Sequence, residues 1–145
     1  MTNDPIDGDE LKRRLRTPFV AGDLRLAVLF GSAARGKTHV MSDIDIGFVP
    51  MKPDLSLDAE LELQVELTRA MGRDVDLIRL DRAPTLVRWE ALRGGIVLFE
   101  SGPFEFARAR AIAASEYFDF APALEAAAAR FRRRIAVASA EVETS

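Results

Sequence analysis

The stretch LAVLFGSAARGKTHVMSDIDIGFV, residues 26–49, decides how the chain is read. It opens as an apolar strand, turns at Gly31-Ser32, makes a short polar excursion and re-enters as a second strand that opens with two aspartates. Side chains alternate across a strand, so Asp43, Asp45 and Gly47 share one face. Ile44, Ile46 and Phe48 point the other way, into a core. Two carboxylates on one strand face repel each other unless a cation lies between them, and magnesium, which takes oxygen ligands, suits such a pair. The Gly31-Ser32 turn offers backbone N–H groups of the kind that bind phosphate. Phosphate donors beside a carboxylate pair describe a phosphoryl- or nucleotidyl-transfer site.

Residues 31–38, GSAARGKT, also match the pattern GxxxxGK[ST] letter for letter. That pattern acquires meaning from a strand before it, a helix after it and a parallel strand beyond. Only His39, Val40, Met41 and Ser42 lie between Thr38 and the next strand. A parallel crossover takes about a dozen residues, usually with a helix. The match is therefore accidental, and Lys37 is not a P-loop lysine. His39 is the chain's one histidine and reads as a solvent-facing loop residue.

At 145 residues, with 48% hydrophobic and 30% charged positions, the chain has the length and composition of one globular domain. Its net charge of −3 argues against non-specific nucleic-acid binding, which needs a basic surface. There are no cysteines, which excludes disulfides, thiolate metal sites and thiol nucleophiles. The acidic opening MTNDPIDGDE is no signal peptide, and no apolar run approaches a membrane span. A cytoplasmic protein is expected.

Residues 1–8 read as a disordered N-terminus, 9–103 as the core, and 104–145 as a helical extension of the same domain. A short helix over residues 9–16 carries Leu11 and Leu15 on one face and ends at Pro18 and the Ala21-Gly22-Asp23 turn. Strands follow at 24–30 and 44–49. A helix over 57–71 is expected to bury Leu57, Leu61, Val65 and either Leu67 or Thr68, with Gly72 as its C-cap. A third strand, residues 74–78, sets Asp74 and Asp76 on one face; Asp76, deeper in the strand, is the candidate third carboxylate. Pro84 opens another helix that Gly94-Gly95 ends, and a short strand occupies 96–99. The rest is helical, with two helices separated at Pro122. The first carries Phe106, Ala109, Ala113 and Tyr117; the second carries Leu124, Ala128, Phe131 and Ile135. The aromatics of residues 117–120 serve either internal packing or a partner surface. The fold class is α/β (α+β), a small mixed sheet of about four strands flanked by helices.

Gly31-Ser32 followed after ten residues by Asp43-Ile44-Asp45 resembles the signature of the DNA polymerase beta-like nucleotidyltransferases. GSAARGKTHVMSDIDI is similar to the minimal nucleotidyltransferase (MNT) family, whose members carry a GSxARG turn followed by SDIDI or SDVDL. That family's third carboxylate lies in a later VDL context, which Asp76 in DVDLI matches. The likeness runs from about residue 24 to 135. It implies that Asp43, Asp45 and Asp76 hold two magnesium ions and carry catalysis, and that Gly31 and Ser32, helped by Arg35, hold the phosphates of ATP. It also implies a protein partner. Small MNT proteins pair with a helical HEPN ribonuclease toxin, act as its antitoxin and attach AMP to one of its tyrosines. Two other readings stand beside this one: a nucleotidyltransferase of a small hydroxylated molecule such as an antibiotic, and an antitoxin that acts by binding alone.

Overall fold

The computed structural model describes residues 8–31 and 44–144. In chain order the elements are α1 (Gly8–Ala21), β1 (Leu24–Phe30), β2 (Ile44–Pro50), α2 (Leu57–Met71), β3 (Val75–Arg79), α3 (Thr85–Arg93), β4 (Ile96–Glu100) and α4 (Glu105–Thr144). The strands form one sheet in the order β3-β2-β1-β4. β1 is antiparallel to both β2 and β4, and β2 is parallel to β3 through the α2 crossover. The antiparallel pairing of β1 with β2 removes the parallel strand that a P-loop requires. The GxxxxGK[ST] match is a coincidence of letters.

Alternation along the strands divides the core in two. On one side, Ala27, Leu29, Ile44, Ile46 and Phe48 pack with Leu11, Leu15 and Phe19 of α1 and Leu63 and Leu67 of α2. On the other, Leu26 and Val28 pack with Leu80, with Ala91 and Leu92 of α3, and with Ala113 of α4. The sheet is thus sandwiched between two helix pairs, and each strand face has its own reason to be apolar.

Three expectations are corrected. α1 does not stop at residue 16 but runs through Pro18 to Ala21. Proline forfeits one backbone bond, yet Phe19, fully buried, extends the Leu11–Leu15 stripe by another turn. Burying such a ring is worth about 1.5–3 kcal/mol, enough to offset part of the lost bond. In α2 the buried residues are Leu63 and Leu67, whereas Leu57, Leu61 and Val65 are exposed. This helix carries two apolar stripes, and the one shared by Leu63, Leu67, Ala70 and Met71 meets the sheet. Finally, α4 is a single helix of 40 residues rather than two separated at Pro122. The alanine-rich sequence around Pro122 favours helix strongly enough to carry it across the missing bond.

The helix ends follow expectation more closely. Ser56 Oγ accepts the N–H of Ala59 at 3.1 Å and opens α2. Gly72, at φ 67°, closes it by donating to the Thr68 carbonyl at 2.9 Å. Glu100 Oε1 accepts the N–H of Phe106 at 2.9 Å, tying β4 to the first turn of α4. Buried Arg79 closes the end of β3. It donates to Asp81 at 2.9 and 3.1 Å and to the carbonyls of Pro53 and Leu55, fastening the β2–α2 loop.

Candidate active site

The strand ends build the site. β1 finishes at Phe30, whose register partner on β2 is Asp45. Asp45 is in turn paired with Asp76 across the parallel ladder to β3. Two carboxylates therefore stand side by side on adjacent strands. Alternation puts both on the face opposite Ile44, Ile46, Val75 and Leu77, the side covered by α3 and α4. Like charges directly opposite each other weaken a sheet, so the pairing marks a place where something other than packing decides the residues.

Gly31 completes the described part. Its φ of 75° lies in the left-handed region, and a Cβ built on it would come 2.5 Å from Oδ2 of Asp45. The turn after β1 therefore runs its backbone directly against an aspartate oxygen, which only a residue without a side chain permits. Of the residues expected at the site, Gly31, Asp45 and Asp76 are brought together. Ser32, Arg35 and Asp43, with Lys37 and His39, lie outside the described residues. Among the described residues no group of three or more His, Asp or Glu gathers closely enough to hold a metal ion. Asp43, the remaining carboxylate of the expected set, lies outside them. Asp74 is exposed at the strand entry, and its carbonyl accepts the N–H of Ile44 at 3.0 Å.

The structure also gives roles to residues that the sequence did not single out. Leu80 occupies the space that a side chain at position 47 would need, its Cδ1 lying 2.9 Å from where a Cβ of Gly47 would be. Gly47 is a packing glycine, and its position inside a strand was the available signal. Gly95 is equally confined, since its Cβ would collide with the Ala91 carbonyl and approach the Leu29 carbonyl at 3.4 Å. Arg88 braces α3 by donating to the carbonyls of Leu80 and Ala83 at 3.0 and 2.9 Å and pairing with Glu116 of α4 at 2.5 Å.

On the same helix pair, Trp89 stacks on Tyr117 with ring centroids 5.6 Å apart, and Phe118 meets both rings. The aromatic cluster is thus partly internal, while Phe118 and Phe120 remain exposed. A groove of about 540 Å³ between α1 and α2, lined by Pro18, Leu63 and Ala70 among others, lies beneath the other face of the sheet. It is remote from the carboxylates. No helix among the described residues is long and apolar enough to cross a membrane.

Solved structures share this fold. A chain of a toxin–antitoxin crystal structure with AMP-PNP is similar at 26% identity and a TM-score of 0.73, over 82% of this chain and 96% of that one. A chain from a mutant of the MntA toxin–antitoxin pair is 26% identical, with a TM-score of 0.70, over 86% and 97%. A Shewanella oneidensis complex of a tri-AMPylated HEPN toxin with its MNT antitoxin contains a chain that is 22% identical, with a TM-score of 0.69, over 86% and 98%. No curated protein matches the chain. The family described as Polymerase beta, Nucleotidyltransferase matches residues 18–103, a span from the last turn of α1 to just beyond β4 that includes Gly31, Asp45 and Asp76. With more than half of its length in that match, the chain belongs to the polymerase beta-type nucleotidyltransferases.

Proposed function

We propose that this chain is the antitoxin of a HEPN/MNT pair, a magnesium-dependent enzyme that transfers AMP from ATP to a tyrosine of its HEPN ribonuclease toxin. The observation that carries the reading is the pairing of Asp45 with Asp76 beside the Gly31 turn. Two facing carboxylates and a side-chain-free turn suit a nucleotide triphosphate with its cations and serve no packing purpose. The similar structure with AMP-PNP supports an adenine nucleotide as the substrate.

Asp45 and Asp76, joined by Asp43, are the residues that would hold magnesium. When bound, magnesium supplies the positive charge that balances the phosphates and the departing pyrophosphate. The chain's own residues do the rest. The backbone at Gly31 and Ser32, with Arg35, holds the β- and γ-phosphates and so aims the α-phosphorus at the acceptor. The tyrosine oxygen attacks that phosphorus, a phosphodiester bond forms, the bond to the β-phosphate oxygen breaks, and pyrophosphate leaves. Asp76 assists removal of the phenolic proton, which is more acidic than that of a serine hydroxyl. Residues 9–103 act as the transfer core and 104–145 as its helical extension, which contributes to toxin binding. The pair works in the cytoplasm, where ATP is available.

AMP on a tyrosine near the toxin's RNA site adds bulk and negative charge where a phosphate must enter, so inhibition follows from blockage and repulsion together. The test is to co-express the chain with its toxin and weigh the toxin by mass spectrometry. One or more added AMP units, absent with Asp43→Ala, is the expected result. Neutralisation at unchanged toxin mass, with Asp43→Ala equally protective, would establish an antitoxin that acts by binding alone.

A further inference from the structure

The two facing carboxylates are not held alike. Asp45 is on an inner strand, with β1 on one side and β3 on the other. Asp76 is on β3, an edge strand among the described residues, where β2 supplies a ladder on one side alone. Along such a strand the backbone groups of successive residues point alternately inward and outward. The Asp74 carbonyl points inward and accepts the N–H of Ile44 at 3.0 Å. The Val75 carbonyl therefore points outward, to the side without a neighbouring strand. It belongs to the peptide unit that leads into Asp76.

That carbonyl has a partner of another kind. Gln64 of α2 donates to it from Nε2 at 3.0 Å. A carbonyl only accepts, so the NH2 end of the amide is the one that must face it. Gln64 is one position round the helix from buried Leu63, on the flank of α2 away from Glu62 and Glu66, which line the groove to α1. Its side chain is thus carried over the outer side of β3 and does there what the N–H of a fifth strand would do. The peptide unit between Val75 and Asp76 is planar, with its N–H toward the β2 ladder and its C=O on Gln64. Held at both ends, it cannot rotate. Released at one end, it could turn, and the Cα–Cβ bond of Asp76 would turn with it.

We propose that Gln64 is a positioning residue for nucleotidyl transfer: it fixes the peptide unit before Asp76 and so keeps that carboxylate aligned with Asp45 for a divalent cation. This rests on the role given to Asp76 above. Asp45 needs no such help, because a second strand already does the work.

Three measurements on the full chain test this. Gln64→Met keeps the length and helix preference of the side chain but loses the donor, and Gln64→Leu is a second donor-free variant. Ser56→Ala removes a hydrogen bond from the other end of α2 and controls for loosening of the helix as a whole. Circular dichroism should show all three folded. Amide hydrogen exchange at residues 75–76 should quicken at least about fivefold in both Gln64 variants and stay as in wild type in Ser56→Ala. Mn2+, titrated with AMP-PNP present, should bind the Gln64 variants about tenfold more weakly, the scale of losing a ligand's supporting hydrogen bond, and Ser56→Ala as it binds the wild type. In AMP transfer to the toxin, kcat of the Gln64 variants should fall about tenfold, with KM for ATP within about twofold. Wild-type exchange or wild-type Mn2+ affinity in the Gln64 variants would overturn the positioning role, as would equal damage from Ser56→Ala. If the wild type transfers AMP and the Gln64 variants match it, the function stands and Gln64 has no part in it. If the exchange and Mn2+ effects appear while the wild type transfers no AMP to the toxin, Gln64 positions Asp76 and the acceptor reading fails.

Discussion

Asp45 and Asp76 face each other across the parallel ladder of β2 and β3, and Asp45 is at the same time the register partner of Phe30 on β1. One side chain on an inner strand is thus positioned by two neighbours at once. Its carboxylate cannot move sideways without breaking a ladder.

Removing a carboxylate should abolish transfer and spare the fold. Asp45→Asn or Asp43→Ala should lower the rate of AMP transfer by more than about a hundredfold, beyond what losing an outer-shell partner costs. Thermal unfolding should move little or rise, because Asp45→Asn relieves repulsion between facing carboxylates. Transfer should also stop in EDTA and return with added magnesium. Wild-type rates in the Asp43→Ala or Asp45→Asn variant, or undiminished wild-type activity in EDTA, would refute the proposal.

Gly31→Ala should be worse than an ordinary surface substitution on two counts. A methyl group at φ 75° is strained, by about 1–3 kcal/mol for such backbone regions, and it meets the Asp45 carboxylate. Steady-state kinetics should show lost nucleotide affinity together with a lower melting temperature. Unchanged values for both would mean that the turn opens without cost.

Lys37→Ala should reduce ATP binding much less than Ser32→Ala does, the reverse of what a P-loop demands. Equilibrium binding of AMP-PNP to both variants provides the comparison. Loss of binding with Lys37→Ala alone would reinstate the P-loop reading that the antiparallel β1–β2 pair argues against.

The adjacent glycines after α3 should behave differently. A Cβ at Gly95 collides with the Ala91 carbonyl, whereas nothing lies within 4 Å of one at Gly94. Gly95→Ala should destabilise by about 1–3 kcal/mol, the usual cost of overpacking. Gly94→Ala should change stability by no more than about 0.5 kcal/mol in chemical denaturation.

Much of this was legible in the residues. β1 and α2 fall where alternation and the Gly72 cap put them, and Asp76, the deeper of the two aspartates in its strand, is the one in register with Asp45. The buried side of α2 was not legible. Leu57, Leu61 and Val65 make as good a helical stripe as Leu63 and Leu67, and only the position of the sheet decides between them. Pro18 and Pro122 misled for a related reason. Proline removes one bond locally, while the burial of Phe19 or the helix preference of the neighbouring alanines acts over several turns. The closeness of Gly31 to Asp45 is a through-space contact between residues fourteen apart in the chain, and no periodicity reports it.

The alternation of β2 has a consequence for errors in folding. A slip of one residue against β1 would turn every side chain of the strand over. Asp45 would then lie beneath α1 and α2, while Ile44, Ile46 and Phe48 would face the α3 and α4 side. The same event would bury a charge and strip three large residues from the core, so a chain with displaced carboxylates could scarcely persist as a folded molecule. Stability therefore acts as a check on register: a copy that stays folded is one in which Asp45 points away from α1 and α2.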